Sequence, residues 1–201
     1  MCAFAHSRDI DSLLQYFISD IGQYLCRMLV KDGATTLKHI WSPWRMEYIQ
    51  SNKNEEGCAF CIEMARPDGP ENLILFRGQR VFLILNRFPY TSGHLMVVPY
   101  QHESTLEALD ENTRAEMMAV TNQGIQALRN VYDPQGFNVG INIGEAAGAG
   151  ITKHVHMHIV PRWIGDTNFM SSLGSTRVLP ETLEETYRRV KEAWDALKRK
   201  K

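Results

Sequence analysis

The sequence predicts an α+β fold: an antiparallel sheet with one long central helix and one C-terminal helix. Two observations lead to this prediction. Two strand-like runs are joined by a short connection, which is typical of antiparallel neighbours. A long helical pattern, two further strand patterns and a final helical pattern then follow along the chain. Strands linked mostly to other strands, instead of alternating singly with helices, favour α+β over α/β.

The chain begins with a segment that we predict to be an appendage. Apolar residues recur at steps of three and four over residues 10–30, which predicts an amphipathic helix. Gly33 is placed to end this helix, and residues 35–38 resemble a linker. We therefore expect an N-terminal helical extension over 1–38 and the main domain over 39–201.

The main domain contains four predicted strands and two predicted helices. The first strand pair is expected at 80–85 and 94–99, with a turn-like segment between them. Asp110 is a credible N-cap for the central helix, which ends at the residues around Pro134. Alternating residues predict a strand over 137–143, and a further strand is predicted from 154 to 160. The final helix starts near Pro180, a residue favoured at the first helical position.

Composition excludes several classes of protein. Lys and Arg number 22 against 23 Asp and Glu, a net charge of −1, which argues against a protein that coats nucleic acid or an anionic membrane. No apolar run approaches the roughly 20 residues of a membrane span. Three aspartates interrupt the N-terminus, so no signal peptide is expected. The expected compartment is the cytoplasm.

Three of the seven histidines fall within five positions, at His154, His156 and His158. On a strand, alternate side chains share a face, so these imidazoles are expected to line one side while Val155, Met157 and Ile159 turn inward. Such a row suits metal ligands or a nucleophile with supporting donors. The alternation alone leaves both possibilities open.

A glycine-rich loop precedes the histidine strand, from Asn142 to Gly150. Small residues let backbone N–H groups approach an anion closely, so the loop is a candidate cradle for phosphate oxygens. Beside it, a neutral imidazole could attack phosphorus and form a labile phosphoramidate. The loop therefore favours nucleophilic chemistry on a phosphate ester over a metal centre at the histidine row.

Cys58 and Cys61 form a Cys-x-x-Cys pair, which indicates metal or redox chemistry in a reduced compartment. A closed structural zinc site needs four ligands, and the pair supplies two. Cys2 and Cys26 lie in the appendage and are poor candidates for the others. Two free thiols without metal remain an alternative.

The histidine segment resembles the signature of the histidine triad (HIT) family, His-φ-His-φ-His-φ-φ, met by residues 154–160. The segment 85–94 resembles the nucleoside-binding strands of that family. The likeness is strongest to bacterial diadenosine tetraphosphate phosphorylases and their relatives, and runs from about residue 40 to the C-terminus. Its further shared segments are Trp41–Met46, Cys58–Cys61, Gly148–Gly150, Pro161–Trp163 and Asn168–Met170.

The resemblance implies a HIT-like fold and a role for each matching residue. His156 would be the nucleophile that takes AMP, and His158 would donate to the α-phosphate and the bridging oxygen. His154 would orient the site, and His94 would lie in the hydrogen-bond network behind the triad. The implied substrate contacts are Asn86 at the ribose, and Asn142, Gly148, Ala149 and Gly150 at the phosphates; Trp163, which follows the triad strand, is a candidate to stack on the base.

The resemblance also completes the cysteine pair. Zinc-bearing HIT proteins are similar to this chain in adding two histidines, which match His102 and His154. The expected zinc site is therefore Cys58, Cys61, His102 and His154. Family members are commonly homodimers, which is the expected assembly.

The expected activity is nucleotidyl transfer from a dinucleoside polyphosphate, with inorganic phosphate as the acceptor. Several hydrolases of the family carry a glutamine just after the loop glycine, whereas this chain has Ala149-Gly150-Ile151-Thr152. The missing side chain favours phosphate over water. Hydrolysis of dinucleoside polyphosphates or nucleoside phosphoramidates is the first alternative, and a non-catalytic nucleotide-binding module is the second.

Overall fold

The computed structural model describes residues 57–166 and 180–199. These residues all belong to one compact unit that spans Ile40–Lys201. The predicted helix over 10–30 and the aromatic segment from Trp41 lie outside the described residues, and the 1–38 extension stays a prediction. In the part of the chain that is described, no helix is long and apolar enough to cross a membrane.

The described residues contain five strands: β1 Ile74–Arg77, β2 Val81–Leu85, β3 Leu95–Pro99, β4 Gly136–Ile141 and β5 Met157–Arg162. They form one antiparallel sheet in the order β1-β2-β3-β5-β4. This arrangement confirms the α+β prediction with an antiparallel sheet. The inner strands β2 and β3 are buried along their whole length, as their runs of Val, Leu, Ile and Phe require.

Among the described residues, three α-helices accompany the sheet: α1 Ala59–Met64, α2 Glu111–Tyr132 and α3 Leu183–Arg199. The predicted N-cap Asp110 accepts a hydrogen bond from the backbone N–H of Thr113 at 2.9 Å. The helix α2 crosses the strands β2, β3 and β5, and also contacts α3. On α3, the buried Trp194 packs against Phe76 of β1, with ring centroids 5.0 Å apart.

Tight packing at two glycines brings α2 close to the sheet. Gly93 adopts φ +78, and a Cβ there would lie 2.8 Å from the Tyr132 ring and 2.9 Å from Leu128. At Gly124 in α2, a Cβ would meet the side chain of Ile159 at 3.0 Å. Glycine is therefore required at Gly93, where a turn residue lies directly before His94 and β3.

Several expected boundaries are wrong. The triad strand was expected from 154 and closed by Pro161, but β5 begins at Met157 and pairs through Pro161 to Arg162. Of the triad, only His158 is therefore in a strand. Val155, Met157 and Ile159 were expected to turn inward and the histidines to line the other face. In the structure, however, His154 and His156 are as buried as Val155. The element α1 and the strand β1 were not predicted.

Candidate active site and metal cluster

The three triad histidines occupy different environments at the start of β5. His154 is fully buried, His156 is 4% exposed, and His158 is partly exposed. Before β5 begins, the chain is held by a backbone hydrogen bond from Val155 to the carbonyl of Glu103 at 2.6 Å. The three histidine side chains have different neighbours: His154 faces a cysteine pair, while His156 and His158 line a cavity.

His156 is held in one tautomer. Its Nδ1–H donates to the backbone carbonyl of His154 at 2.8 Å, so the lone pair of the neutral ring lies on Nε2. Burial lowers the pKa of His156 below the ordinary value of 6.5, although the hydrogen bond to His154 acts in the opposite direction. The ring therefore favours the neutral form, which is the form that can act as a nucleophile.

A chain of hydrogen bonds sets the tautomer of His158. The backbone N–H of Tyr90 donates to Nδ1 of His94 at 3.1 Å, so the proton of the neutral His94 ring lies on Nε2. That Nε2–H donates to Nδ1 of His158 at 2.9 Å. The remaining ring proton of His158 is then on its own Nε2. The structure thus places His94 directly behind His158.

Asn86 lies beside this hydrogen-bond chain. Its amide nitrogen approaches Nδ1 of His94 at 3.3 Å, and its oxygen accepts the backbone N–H of Phe88 at 2.9 Å. These contacts orient the Asn86 side chain at the end of β2. Because His94 binds both Asn86 and His158, one buried ring connects the two sides of the site.

His156 and His158 line a cavity of about 380 Å³ together with residues of both sequence motifs. Of the predicted phosphate and ribose contacts, Asn86, Asn142, Gly148 and Gly150 line it. Ala149 and Trp163 are not among its described lining residues, and the Trp163 ring instead meets Tyr132 edge-on at 6.4 Å. The geometry therefore gives Trp163 no contact with this cavity.

The glycine loop forms a short 3-10 turn, Glu145–Ala147, between two glycines with positive φ. Gly144 has φ +78 and Gly148 has φ +83, and the Gly148 N–H donates back to Glu145 at 2.9 Å. Side chains with a Cβ rarely adopt these angles, so the glycines keep the loop compact where it meets the cavity. Residues of the loop line the same cavity as His156 and His158.

The four residues of the expected metal site lie together. Cys58, Cys61, His102 and His154 offer ligand atoms that all lie within 4.8 Å of one another. Sγ of Cys58 is 3.3 Å from Nδ1 of His154, and Sγ of Cys61 is 3.2 Å from Nδ1 of His102. Sulfur and nitrogen ligands of a tetrahedral zinc ion lie about 3.5 Å apart, so these residues could hold a metal ion.

The second nitrogen of His154 supports the same conclusion. Its Nε2–H donates to the carbonyl of Pro99 at 2.8 Å, which leaves Nδ1 unprotonated and directed at the cysteines. Burial and, secondarily, the adjacent Cys58 raise the pKa of the Cys61 thiol. A bound cation would act against that shift because thiolates are the ligating form.

Sequence reasoning missed the element that joins the two sites. Phe60 lies between the cysteines on α1, and its ring is 5.5 Å from that of His154 and 4.9 Å from that of His156. The same helix lines the cavity with further residues, and a helix of six residues is too short to show a periodic pattern. The additional lining residues include Ala59, Ile62, Glu63, Arg66 and Arg87.

Comparison with known proteins gives a consistent family. The HIT domain family model matches residues 69–163. An AP-4-A phosphorylase of Mycobacterium tuberculosis is 39% identical over 165 residues, 79% of this chain and 85% of that protein. A HIT-like protein of Saccharolobus solfataricus is 32% identical over 56% of this chain and 79% of that protein.

Solved structures resemble the described fold. A Zn-bound histidine triad family protein from Mycobacterium smegmatis is 30% identical with a TM-score of 0.58, covering 72% of this chain and 98% of that one. A histidine triad nucleotide-binding protein from Sulfolobus tokodaii is 28% identical with a TM-score of 0.59, covering 71% and 95%. With its antiparallel sheet and its three histidines at the cavity and the cysteine pair, this chain belongs to the histidine triad family.

Proposed function

We propose that this protein is a nucleotidyl transferase that acts on dinucleoside polyphosphates through a covalent nucleotidyl-histidine. The observation that carries the proposal is the tautomer of His156. Its Nδ1–H is held by a backbone carbonyl, and its neutral ring borders a cavity that the glycine loop also lines. The AP-4-A phosphorylase of M. tuberculosis, 39% identical, supports the same substrate class.

In the first step, Nε2 of His156 attacks the α-phosphorus of diadenosine tetraphosphate. An N–P bond forms, the P–O bond to the remaining chain breaks, and ATP leaves. The Nε2–H of His158 donates to the bridging oxygen and stabilises the charge that develops there. His94 acts as a positioning residue, because its own Nε2–H keeps the proton of His158 on the correct nitrogen.

In the second step, an oxygen of inorganic phosphate attacks the phosphorus of the AMP-histidine. A new P–O bond forms, the N–P bond breaks, and His156 leaves as the neutral ring with ADP as product. Attack by water in place of phosphate would release AMP. The absence of the hydrolase glutamine at Ala149–Thr152 supports phosphate as the acceptor.

The cluster of Cys58, Cys61, His102 and His154 is proposed to hold zinc. When bound, the ion would supply a structural cross-link between α1, the segment after β3 and the start of β5. The protein's own contribution is to fix His154, whose backbone carbonyl holds the proton of His156. A cytoplasmic location stays a prediction from the sequence, and homodimer assembly stays a prediction from the family resemblance.

One assay tests the proposed activity. Purified protein is incubated with diadenosine tetraphosphate with and without inorganic phosphate, and the nucleotides are separated by ion-exchange chromatography. The proposal expects ATP plus ADP that depend on phosphate, and an acid-labile adenylylated protein that His156→Ala cannot form. AMP plus ATP as the only products would establish the hydrolase alternative. Turnover by His156→Ala would refute the assigned nucleophile.

A further inference from the structure

The helix α1 contributes both apolar and charged residues to the cavity that His156 and His158 line. Its Phe60 packs on the ring of His156, with ring centroids 4.9 Å apart. Glu63 lies three residues further along the helix, and so is displaced by about 4.5 Å along its axis. Glu63 lines the same cavity as the proposed nucleophile. A nucleotide with its α-phosphate at His156 would have its base among the other residues that line this cavity.

Apolar residues also line this cavity. Ala59, Phe60, Ile62, Leu73 and Ile84 contribute to its walls. Such walls suit the faces of a planar base, whereas its hydrogen-bonding edge needs polar partners. Glu63 is a lining carboxylate beyond Phe60 on the same helix, so it is placed to meet that edge.

Two arginines fix the carboxylate of Glu63. Nη1 of Arg66 lies 3.2 Å from Oε1, and Nη2 of Arg87 lies 3.1 Å from the same oxygen. The Glu63 side chain is only 17% exposed, whereas Arg66 and Arg87 are 55% and 48% exposed. Arg87 also donates to the backbone carbonyl of Glu71 at 2.9 Å, which connects the segment after β2 to the segment before β1. The carboxylate is thus the more deeply placed group, held from its outer side.

The acceptor capacity of Glu63 exceeds these contacts. An ionised carboxylate has about four lone-pair sites and accepts only. Both arginines approach Oε1, and Oε2 has a longer contact of 3.3 Å to Arg66. A fixed, acceptor-only group at the edge of a base pocket selects bases that present N–H donors there, and repels carbonyl oxygens.

We propose that Glu63 accepts a hydrogen bond from the exocyclic amino group of a purine, and so favours aminopurine nucleotides over purine nucleotides that lack this group. The inference rests on the proposed function, which places the α-phosphate at His156. Adenine offers a 6-amino group and guanine a 2-amino group next to N1–H. The shared chemistry is an amino donor at the edge of the base.

The experiment measures binding of nucleoside monophosphates by titration calorimetry in two matched pairs. AMP is compared with purine riboside 5′-monophosphate, which lacks the 6-amino group, and GMP is compared with IMP, which lacks the 2-amino group. In the wild-type protein, the amino group of one pair should tighten binding about tenfold. The pair that shows the effect identifies the base as adenine or guanine.

Variants assign the effect to the carboxylate. In Glu63→Leu the preference should disappear, with both members of the pair binding within twofold. Glu71→Leu is the matched control, because Glu71 is exposed and contacts Arg87 only through its backbone carbonyl; its preference should equal that of the wild type. Should Glu63→Leu fail to fold, Glu63→Gln supplies a neutral acceptor of the same shape, and the preference should fall at least threefold.

Two results overturn the inference: equal binding within both pairs by the wild-type protein, or an unchanged preference in the Glu63 variant. Binding does not require transfer of the nucleotide. An amino preference that depends on Glu63, without any nucleotidylated His156, would therefore refute the proposed function alone. Formation of nucleotidyl-histidine without an amino preference would refute only the assignment of Glu63.

Discussion

The hydrogen bond from His94 to His158 gives the most direct test of the proposed role of His158, which is to donate a hydrogen bond to the leaving oxygen. His94→Leu removes the Nε2–H that donates to His158 Nδ1 at 2.9 Å, at a fully buried position. A buried group that loses its hydrogen-bond partner costs about 1–3 kcal/mol. If that cost falls on the tautomer that donates to the leaving group, the rate of transfer falls roughly 5- to 150-fold.

The assay compares two substrates that differ in how much their leaving group depends on a hydrogen bond from His158. Diadenosine tetraphosphate depends on donation from His158, whereas the p-nitrophenyl ester of AMP has a leaving group that is stable as an anion. We expect His94→Leu to reduce kcat for the first substrate by the full factor and for the second by less than threefold. An equal loss for both would show that His94 acts through the fold or the binding site, and would refute the positioning argument.

A control variant separates this effect from damage to the turn before β3. Thr91 donates its hydroxyl to the carbonyl of Pro161 at 3.0 Å, three residues before His94. Thr91→Val removes that hydrogen bond but leaves the contacts between His94 and His158. This variant should keep kcat for both substrates within twofold of the wild type. Any larger loss of kcat specific to diadenosine tetraphosphate would contradict the proposed role of the hydrogen bond from His94 to His158.

Three further predictions follow from pKa, packing and metal. The pKa of His156 lies below 6.5 in the folded protein, so the acid limb of the kcat/KM profile should lie below pH 6.5. The neutral ring's contribution to stability should be complete above pH 6.5 and decline as the pH falls from there toward the folded pKa. An acid limb above pH 7 in a pH–rate profile would disprove this. Phe60→Ala should lower the free energy of unfolding, measured in urea, by about 3–5 kcal/mol, because the Phe60 side chain is buried and packs on two triad rings. Met118→Ala, at a half-exposed position, is the control and should change it by less than about 0.5 kcal/mol. Cys58→Ser should reduce bound zinc per chain in mass spectrometry, and lower Tm; metal content that does not change would sink the cluster as a zinc site.

Local patterns predicted the elements whose signals lie within a few residues. Asp110 caps α2 through Thr113, and the stop near Pro134 coincides with Asp133 in the left-handed region at φ 44. The strands β2 and β3 were found because they are continuous apolar runs between turn residues. In each case the sequence contains both the hydrophobic pattern and the residues that end it.

The missed elements depend on contacts between distant residues. The strand β1 has only four residues, follows Leu73 at φ 61, and shows a register shift between Ile74 and Phe76. Its pairing with β2 is what defines it as a strand. The first two triad histidines alternate like a strand, yet the backbone N–H of Val155 between them binds Glu103. The ring of His154 binds Pro99 and faces the cysteine pair. Alternation in sequence cannot distinguish these partners from a strand neighbour.

The sequence motifs differ in how much of the cavity they supply. His156 and His158 of the triad line it together with Gly148 and Gly150 of the glycine loop, whereas His154 does not. Glu63 carries no motif, because its proximity to Arg87 joins residues 24 positions apart. Trp163 follows the triad in sequence, but its ring turns to Tyr132 on α2.

His154 differs from its two triad neighbours in how many partners it serves at once. Its Nδ1 faces Cys58, its Nε2–H is bound by Pro99, and its backbone oxygen holds the proton of His156. No other side chain offers both a soft-metal nitrogen and an opposed N–H in a rigid ring of this size. In a saturation library of the triad, position 154 should therefore tolerate the fewest replacements in selections for folded protein, whereas position 156 should tolerate more replacements there than in selections for turnover.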